Sequence, residues 1–223
     1  MDSEAKASLS ERLLWTLSWQ TRERMPVLSQ PGAEERLREY WRQTRRMGQV
    51  RSLVHLDARS VSVEVGGGMT TPLRWFPGRR LCIDPLADHC AARFPLPAER
   101  VTYRTGSGEA LPLSDASADL VVCTNCIDHT DDPWAVMAEI ARVLQLGGWL
   151  WFTCEIRPPD RARNPGHPHV LDRKSLRALL SGLTARLSWE EPWRGVLRFL
   201  REREPCSAIE LGFLAQKESC DAK

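Results

Sequence analysis

Apolar residues follow two different periods along this chain, and the change comes near residue 60. Before it, Leu13, Leu14, Leu17 and the flanking Trp15 and Trp19 predict a helix over residues 7–25 that stops before Pro26. After the turn signal Ser29-Gln30-Pro31-Gly32, residues Leu37, Tyr40, Trp41, Met47, Val50 and Val54 fall near helical spacing and predict a second helix from Ala33 to Leu56. Beyond residue 60, short and nearly continuous apolar runs alternate with helical patterns. Strands are expected over 61–65, 81–83, 100–105, 120–123, 150–155, 185–189 and 209–215, with helices over 86–94, 133–144 and 175–183. Continuous apolar strands must be covered on both faces, which argues a mostly parallel sheet. The expected fold class is therefore α/β: a mostly parallel seven-stranded sheet with an antiparallel C-terminal hairpin and an N-terminal helical cap. Residues 1–58 form the cap and 59–223 the main domain. The cap reads equally well as a lid or as a helical layer packed on the sheet.

Composition narrows the class without naming a function. A length of 223 residues, 42% hydrophobic and 27% charged, fits one main soluble domain. A net charge of +2 gives no strong field, so neither nucleic acid nor an anionic membrane is expected as partner. Met1-Asp2-Ser3-Glu4 lacks the basic start of a secretory signal, and no apolar run approaches the ~20 residues that span a bilayer, so a cytoplasmic location is expected. Seven scattered cysteines suit reduced, buried thiols better than a disulfide framework. The nine tryptophans are expected mostly in the core.

The candidate chemistry begins at Val61-Ser62-Val63-Glu64-Val65-Gly66-Gly67-Gly68-Met69-Thr70, where an apolar strand runs into an acid and three glycines. Glycines at a strand tip let the backbone turn sharply and approach a ligand closely. Asp84, at the end of the second strand, lies 20 residues beyond Glu64 and is placed to receive a ribose hydroxyl pair. That geometry serves nicotinamide dinucleotides and S-adenosylmethionine alike. The loop separates them: it lacks the last glycine of Gly-x-Gly-x-x-Gly, and a carboxylate at Glu64 sits poorly beside a pyrophosphate but well beside a sulfonium ligand.

In these residues the chain resembles the class I S-adenosylmethionine-dependent methyltransferases, of the small Rossmann-like, type 11-like kind. The likeness spans roughly residues 60–156 in four ordered blocks: Glu64 to Gly68; Ile83-Asp84-Pro85; Gly106 to Pro112; and Asp119 to Val122 followed by Asp128-His129 and Arg142 to Gly148. The resemblance implies that Glu64 and the amides of Gly66, Gly67 and Gly68 hold the methionine moiety. It places Asp84 on the ribose, Pro85 and Leu86 along the adenine face, and the main chain at Ser107, Gly108 and Glu109 at the adenine edge. Asn125 is expected beneath the sulfonium. Two positions depart from the pattern: Thr70 replaces another small loop residue, and Ser107 stands where an acid often receives the adenine amino group.

Further candidates follow the fourth strand. Cys123, Cys126 and His129 have partial zinc-ligand spacing, but a fourth ligand is wanting and no metal is expected. His129 and Asp128 are candidate general bases, and Asp132 is a candidate helix N-cap. In the loop 164–169, His167 and His169 are candidate acceptor-binding residues, as are Tyr40 and Trp41 on the second helix. The basic runs Arg42–Arg46 and Arg201–Glu204 read as solvated faces. The expected activity is methyl transfer to a small-molecule acceptor, with oxygen as first-choice atom. A sugar or natural product is the substrate that the resemblance suggests through the His-Pro-His segment. A homodimer is allowed. The alternative is a non-catalytic, cofactor-binding partner subunit of another enzyme.

Overall fold

The computed structural model describes residues 14, 16–18, 20–92, 100–157, 166–203 and 208–218. Strands β1 (Val61–Val65), β2 (Arg79–Ile83), β3 (Thr102–Arg104), β4 (Ala118–Thr124), β5 (Leu144–Ile156), β6 (Thr184–Pro192) and β7 (Ile209–Gln216) form one sheet in the order β3-β2-β1-β4-β5-β7-β6. β1 pairs in parallel with β2 and β4, β2 with β3, and β4 with β5. β7 runs antiparallel between β5 and β6. The expected architecture is present, and the reversal of strand order between β1 and β4 opens a crevice at the strands' carboxyl ends.

Helices cover both faces. On one, Val136, Ile140 and Val143 of the helix Pro133–Val143 and Leu176 of Arg173–Leu179 pack on Val63, Val121 and Phe152. Asp132 caps the first of these helices, accepting the amides of Trp134 at 2.9 Å and Ala135 at 3.2 Å. On the other face, Leu37, Tyr40 and Trp41 of Ala33–Thr44 and Val50 of Met47–Leu53 share a core with Leu120, Val122, Trp151 and Leu214. The N-terminal helices are thus a structural layer of the sheet. Trp41 meets Trp151 edge-on at 5.5 Å, and fully burying side chains of this size contributes roughly 1.5–3 kcal/mol each.

Several boundaries differ from the sequence expectation. The first helix, expected over 7–25, falls largely outside the described residues; a π-turn Gln20–Arg24 continues into Met25–Leu28, because Pro26 occupies the first turn, where its missing N–H costs nothing. The second helix breaks between Thr44 and Met47, with Arg46 left-handed at φ 58°. Strand β5 begins at Leu144, since Gly147 and Gly148 bend the chain into an extended pairing with Lys217 instead of simply ending a helix. A short helix, Val196–Leu200, lies inside the stretch that carried no readable pattern. Cys82, Cys90, Cys123, Cys126 and Cys154 are buried free thiols, as expected; Cys206 and Cys220 lie outside the described residues. No described helix is long and apolar enough to cross a membrane.

Candidate active site

The carboxyl ends of the strands border a cavity of about 640 Å³. Of the residues expected to hold cofactor, Glu64, Gly66, Gly67, Asp84, Pro85, Leu86, Ser107, Gly108, Glu109 and Asn125 all line it. Gly68 does not; its amide donates to Asp84 Oδ2 at 3.0 Å, so it shapes the loop from behind. The Leu86 amide donates to Asp84 Oδ1 at 2.7 Å, fixing the carboxylate at the cavity wall. Burial pushes the Asp84 carboxyl up, against the opposing pull of these two amides and of Arg24.

Glu64 is buried at the end of β1, and its Oε2 has no hydrogen-bond partner among the described residues. Burial raises its carboxyl to about 8, with the Thr71 hydroxyl opposing and the Asp84 charge adding to the shift. A Cβ on Gly67 would fall on the Glu64 carboxylate, and one on Gly66, at φ +69°, would come within 2.6 Å of Cys126 Cβ. Both positions therefore require glycine. This open cradle beside a partnerless buried carboxylate oxygen fits the ammonium of a bound amino acid moiety. Asn125, left-handed at φ 51°, carries a second partnerless acceptor, Oδ1, on the same wall. Ser107 donates to the Glu109 carboxylate, whose Oε1 accepts the Asp131 amide at 2.8 Å; the pair thus braces the turn after β4.

Beyond β4 the acid–base candidates meet. His129 lines the cavity, and its Nδ1 bonds the Gly166 carbonyl, which requires the proton on Nδ1 and leaves the lone pair on Nε2. Desolvation lowers its pKa despite Asp128, so the ring is neutral at pH 7. His167 contacts Asp128 Oδ2 through Nδ1 at 2.8 Å and Arg157 Nη2 through Nε2 at 2.6 Å. Burial opposes ionisation of Asp128, but His129, His167 and Arg157 together hold its carboxyl well below the usual range. Asp128 itself does not line the cavity, and neither does His169, whose Nε2 bonds the Thr130 carbonyl at 2.9 Å and ties down the loop. Asn164 and Pro165 of that loop lie outside the described residues. Asp128, His129 and His167 each bring a donor atom within 4.8 Å of the others, although His167 is already engaged on both nitrogens. Cys123 and Cys126 bond each other at 3.3 Å, and the Cys126 thiol donates to the Val65 carbonyl; the contact with Cys123, then burial, raises its pKa.

Tyr40 and Trp41 are buried and roof the cavity, the Trp41 indole donating to the Thr70 carbonyl at 2.7 Å. Arg45, read from sequence as part of a solvated face, is buried and paired with buried Glu210. Arg201, likewise read as solvated, pairs with Glu23 at 3.1 Å and lines the cavity. Arg203 of the same run lines it too, as do Arg24, Arg157 and Arg198, which the sequence did not single out. For Arg157 a signal existed: it follows the carboxyl end of β5, where ligands of such sheets bind.

A family model described as a methyltransferase domain matches residues 63–152, the segment that supplies the Glu64, Asp84 and His129 walls. Over that segment the chain carries a class I S-adenosylmethionine-dependent methyltransferase domain. The cofactor of this methyltransferase family is S-adenosylmethionine. Among similar proteins are a human thiol S-methyltransferase, 29% identical over 50% of this chain and 49% of its own length, and the dimethylglycine N-methyltransferase of Parasynechococcus marenigrum, 42% identical over 25% of this chain and 20% of its own. The chain spans about half or less of the length of these relatives. Among solved structures, the cyclase SpnF aligns over 95% of this chain and 97% of its own, with a TM-score of 0.67 at 18% identity. An S-adenosylmethionine-dependent methyltransferase of Aquifex aeolicus aligns over 87% and 97%, with a TM-score of 0.57 at 15% identity. Both support the fold of the methyltransferase domain.

Proposed function

We propose that this protein transfers a methyl group from S-adenosylmethionine to a hydroxyl oxygen of a small molecule such as a sugar or natural product. The observation that carries the reading is the convergence of Glu64, Asp84 and His129 on one cavity. Glu64 and Asn125 would receive the cofactor's ammonium group, and Asp84 its ribose hydroxyls. Bound there, the cofactor supplies an activated methyl with a neutral thioether as leaving group.

The protein's own work is positioning, drying and proton removal. Tyr40 and Trp41 close the roof against water. His129 presents the Nε2 lone pair to the acceptor hydroxyl and takes its proton. The imidazolium so formed faces Asp128 Oδ1, 3.9 Å from Nε2 and without a hydrogen-bond partner among the described residues. That arrangement stabilises the charge as it develops, because the carboxylate is already ionised and held in place.

A base is of most use to an oxygen acceptor, since a neutral alcohol is a weak nucleophile and yields almost no alkoxide at neutral pH, whereas thiols and amines give up their protons far more readily. The test is S-adenosylhomocysteine release from S-adenosylmethionine with panels of alcohols, amines and thiols. Turnover of alcohols that drops about 100-fold or more in His129→Ala is expected. Turnover confined to amines or thiols, unaffected by the substitution, would overturn the oxygen assignment.

A further inference from the structure

The segment 166–169 is laid along the turn 128–131 after β4 and tied to it at each of four residues. The Gly166 carbonyl accepts the Nδ1 proton of His129. His167 Nδ1 meets Asp128 Oδ2 at 2.8 Å, and His169 Nε2 bonds the carbonyls of Thr130 at 2.9 Å and Asp131 at 3.1 Å. The His129 and His167 rings lie against each other, their centroids 4.1 Å apart. Arg157, just past the end of β5, closes the cluster by donating to His167 Nε2 at 2.6 Å.

The partners fix where the protons sit. A guanidinium only donates, so His167 Nε2 must accept from Arg157, and its ring proton lies on Nδ1, where Asp128 takes it. Both nitrogens of His167 are thereby spent, and the lone pair that a metal ion or an acceptor hydroxyl would need is held by Arg157. The same arrangement closes the route for proton relay. A proton gained by His129 cannot pass through Asp128 to His167, because the His167 nitrogen facing Asp128 already carries one. What the cluster supplies is charge and orientation. From this interlock, and resting on the base role of His129 proposed above, we infer that His167 and Arg157 are positioning residues of the methyl transfer. Arg157 fixes the His167 ring, and His167 orients the Asp128 carboxylate. Its other oxygen, Oδ1, then faces His129 Nε2 at 3.9 Å, ready for the imidazolium. The His-Pro-His segment in this account is a clamp on the base and not a subsite for the acceptor.

Two measurements test it: long-range proton–nitrogen NMR of the histidine rings at pH 8, and steady-state kinetics with the fastest alcohol of the panel above. In the wild type, His129 and His167 should both show the proton on Nδ1. His167→Leu should lower kcat at least about tenfold while KM for the alcohol stays within about twofold. His167→Gln, which can still accept from Arg157 and donate to Asp128, should recover most of the loss. Because both residues act through Asp128, adding His167→Leu or Arg157→Leu to Asp128→Asn should cost less than about a further twofold. Unchanged affinity for S-adenosylhomocysteine reports that the variants fold. A proton on Nε2 of either ring, a His167→Leu defect confined to KM, or full independent losses on the Asp128→Asn background overturns the inference. So does activity lost to EDTA and restored by Zn²⁺ or Mg²⁺, which would give the cluster to a metal ion. Turnover lost in His129→Ala but intact in His167→Leu and Arg157→Leu overturns this inference alone. Full turnover in His129→Ala overturns the base reading, and this inference with it.

Discussion

Arg157 donates to Nε2 of His167 at 2.6 Å, and because a guanidinium has no lone pair, this contact forces the His167 proton onto Nδ1, where it is given to Asp128 at 2.8 Å. The consequence reaches His129. One oxygen of Asp128 is committed to His167, and the other faces His129 Nε2 with no hydrogen-bond partner among the described residues.

Asp128 raises the His129 pKa, whereas desolvation lowers it. Replacing Asp128 by Asn removes the raising influence, so the acid limb of the pH–rate profile should move to lower pH while turnover falls about 10- to 100-fold. A purely structural role for Asp128 would lower activity without moving the limb. Steady-state kinetics from pH 5 to 9 with an accepted hydroxyl substrate distinguishes the two.

Glu64, with its carboxyl raised to about 8, is largely protonated at pH 7 in the free protein. Meeting a cationic ligand should draw that proton off, so S-adenosylmethionine binding at pH 7 should release close to one proton, and Glu64→Gln should abolish the release. Calorimetry in buffers of different ionisation enthalpy reads it directly. The same shift bears on stability. A carboxyl raised on folding stabilises fully below its unfolded value, near 4.5, and that contribution is lost as pH rises through about 8. Glu64→Gln should therefore raise the melting temperature of the free protein more at pH 9 than at pH 5.

Arg45 and Glu210 form a buried pair that joins the N-terminal helices to β7, and the Arg45 Nε also donates to the Tyr40 hydroxyl at 2.8 Å. Arg45→Met strands the Glu210 charge and should cost about 3–5 kcal/mol in denaturant unfolding. Arg45→Met with Glu210→Leu should recover most of that loss, since the buried charge goes with its partner.

Gly66 combines φ +69° with close packing against Cys126. Gly66→Ala should weaken cofactor binding at least tenfold by pushing the loop off Cys126. Pairing it with Cys126→Ala should recover little, because that position keeps its Cβ and the backbone strain remains.

The sheet was legible because its central strands bury both faces, as Leu120, Val121 and Val122 do, so their apolar runs survive in the sequence as unbroken blocks. The proposed cofactor wall was legible for a related reason: Glu64, the glycines and Asp84 sit at strand ends and depend on local backbone geometry. What could not be read was set by distant partners. Arg45 looked solvated among its basic neighbours until Glu210, on a strand 165 residues away, was folded against it. Likewise, the helix break at Arg46 leaves the apolar spacing nearly continuous, because both segments face the same sheet surface. The five-residue helix Val196–Leu200, which brings Arg198 to the cavity, is too short to imprint a period. His167 was found as a candidate, but its partners Asp128 and Arg157 belong to other elements.

The cavity beside Glu64 and Asp84 is proposed as an S-adenosylmethionine site. Titration calorimetry of S-adenosylhomocysteine against the wild type, Asp84→Ala and Gly67→Ala tests it most directly. One site per chain is expected, weakened at least about tenfold in each variant through loss of a charge-assisted contact or intrusion of a Cβ onto the Glu64 carboxylate. Equal affinity in all three proteins, or no binding to the wild type, would contradict it.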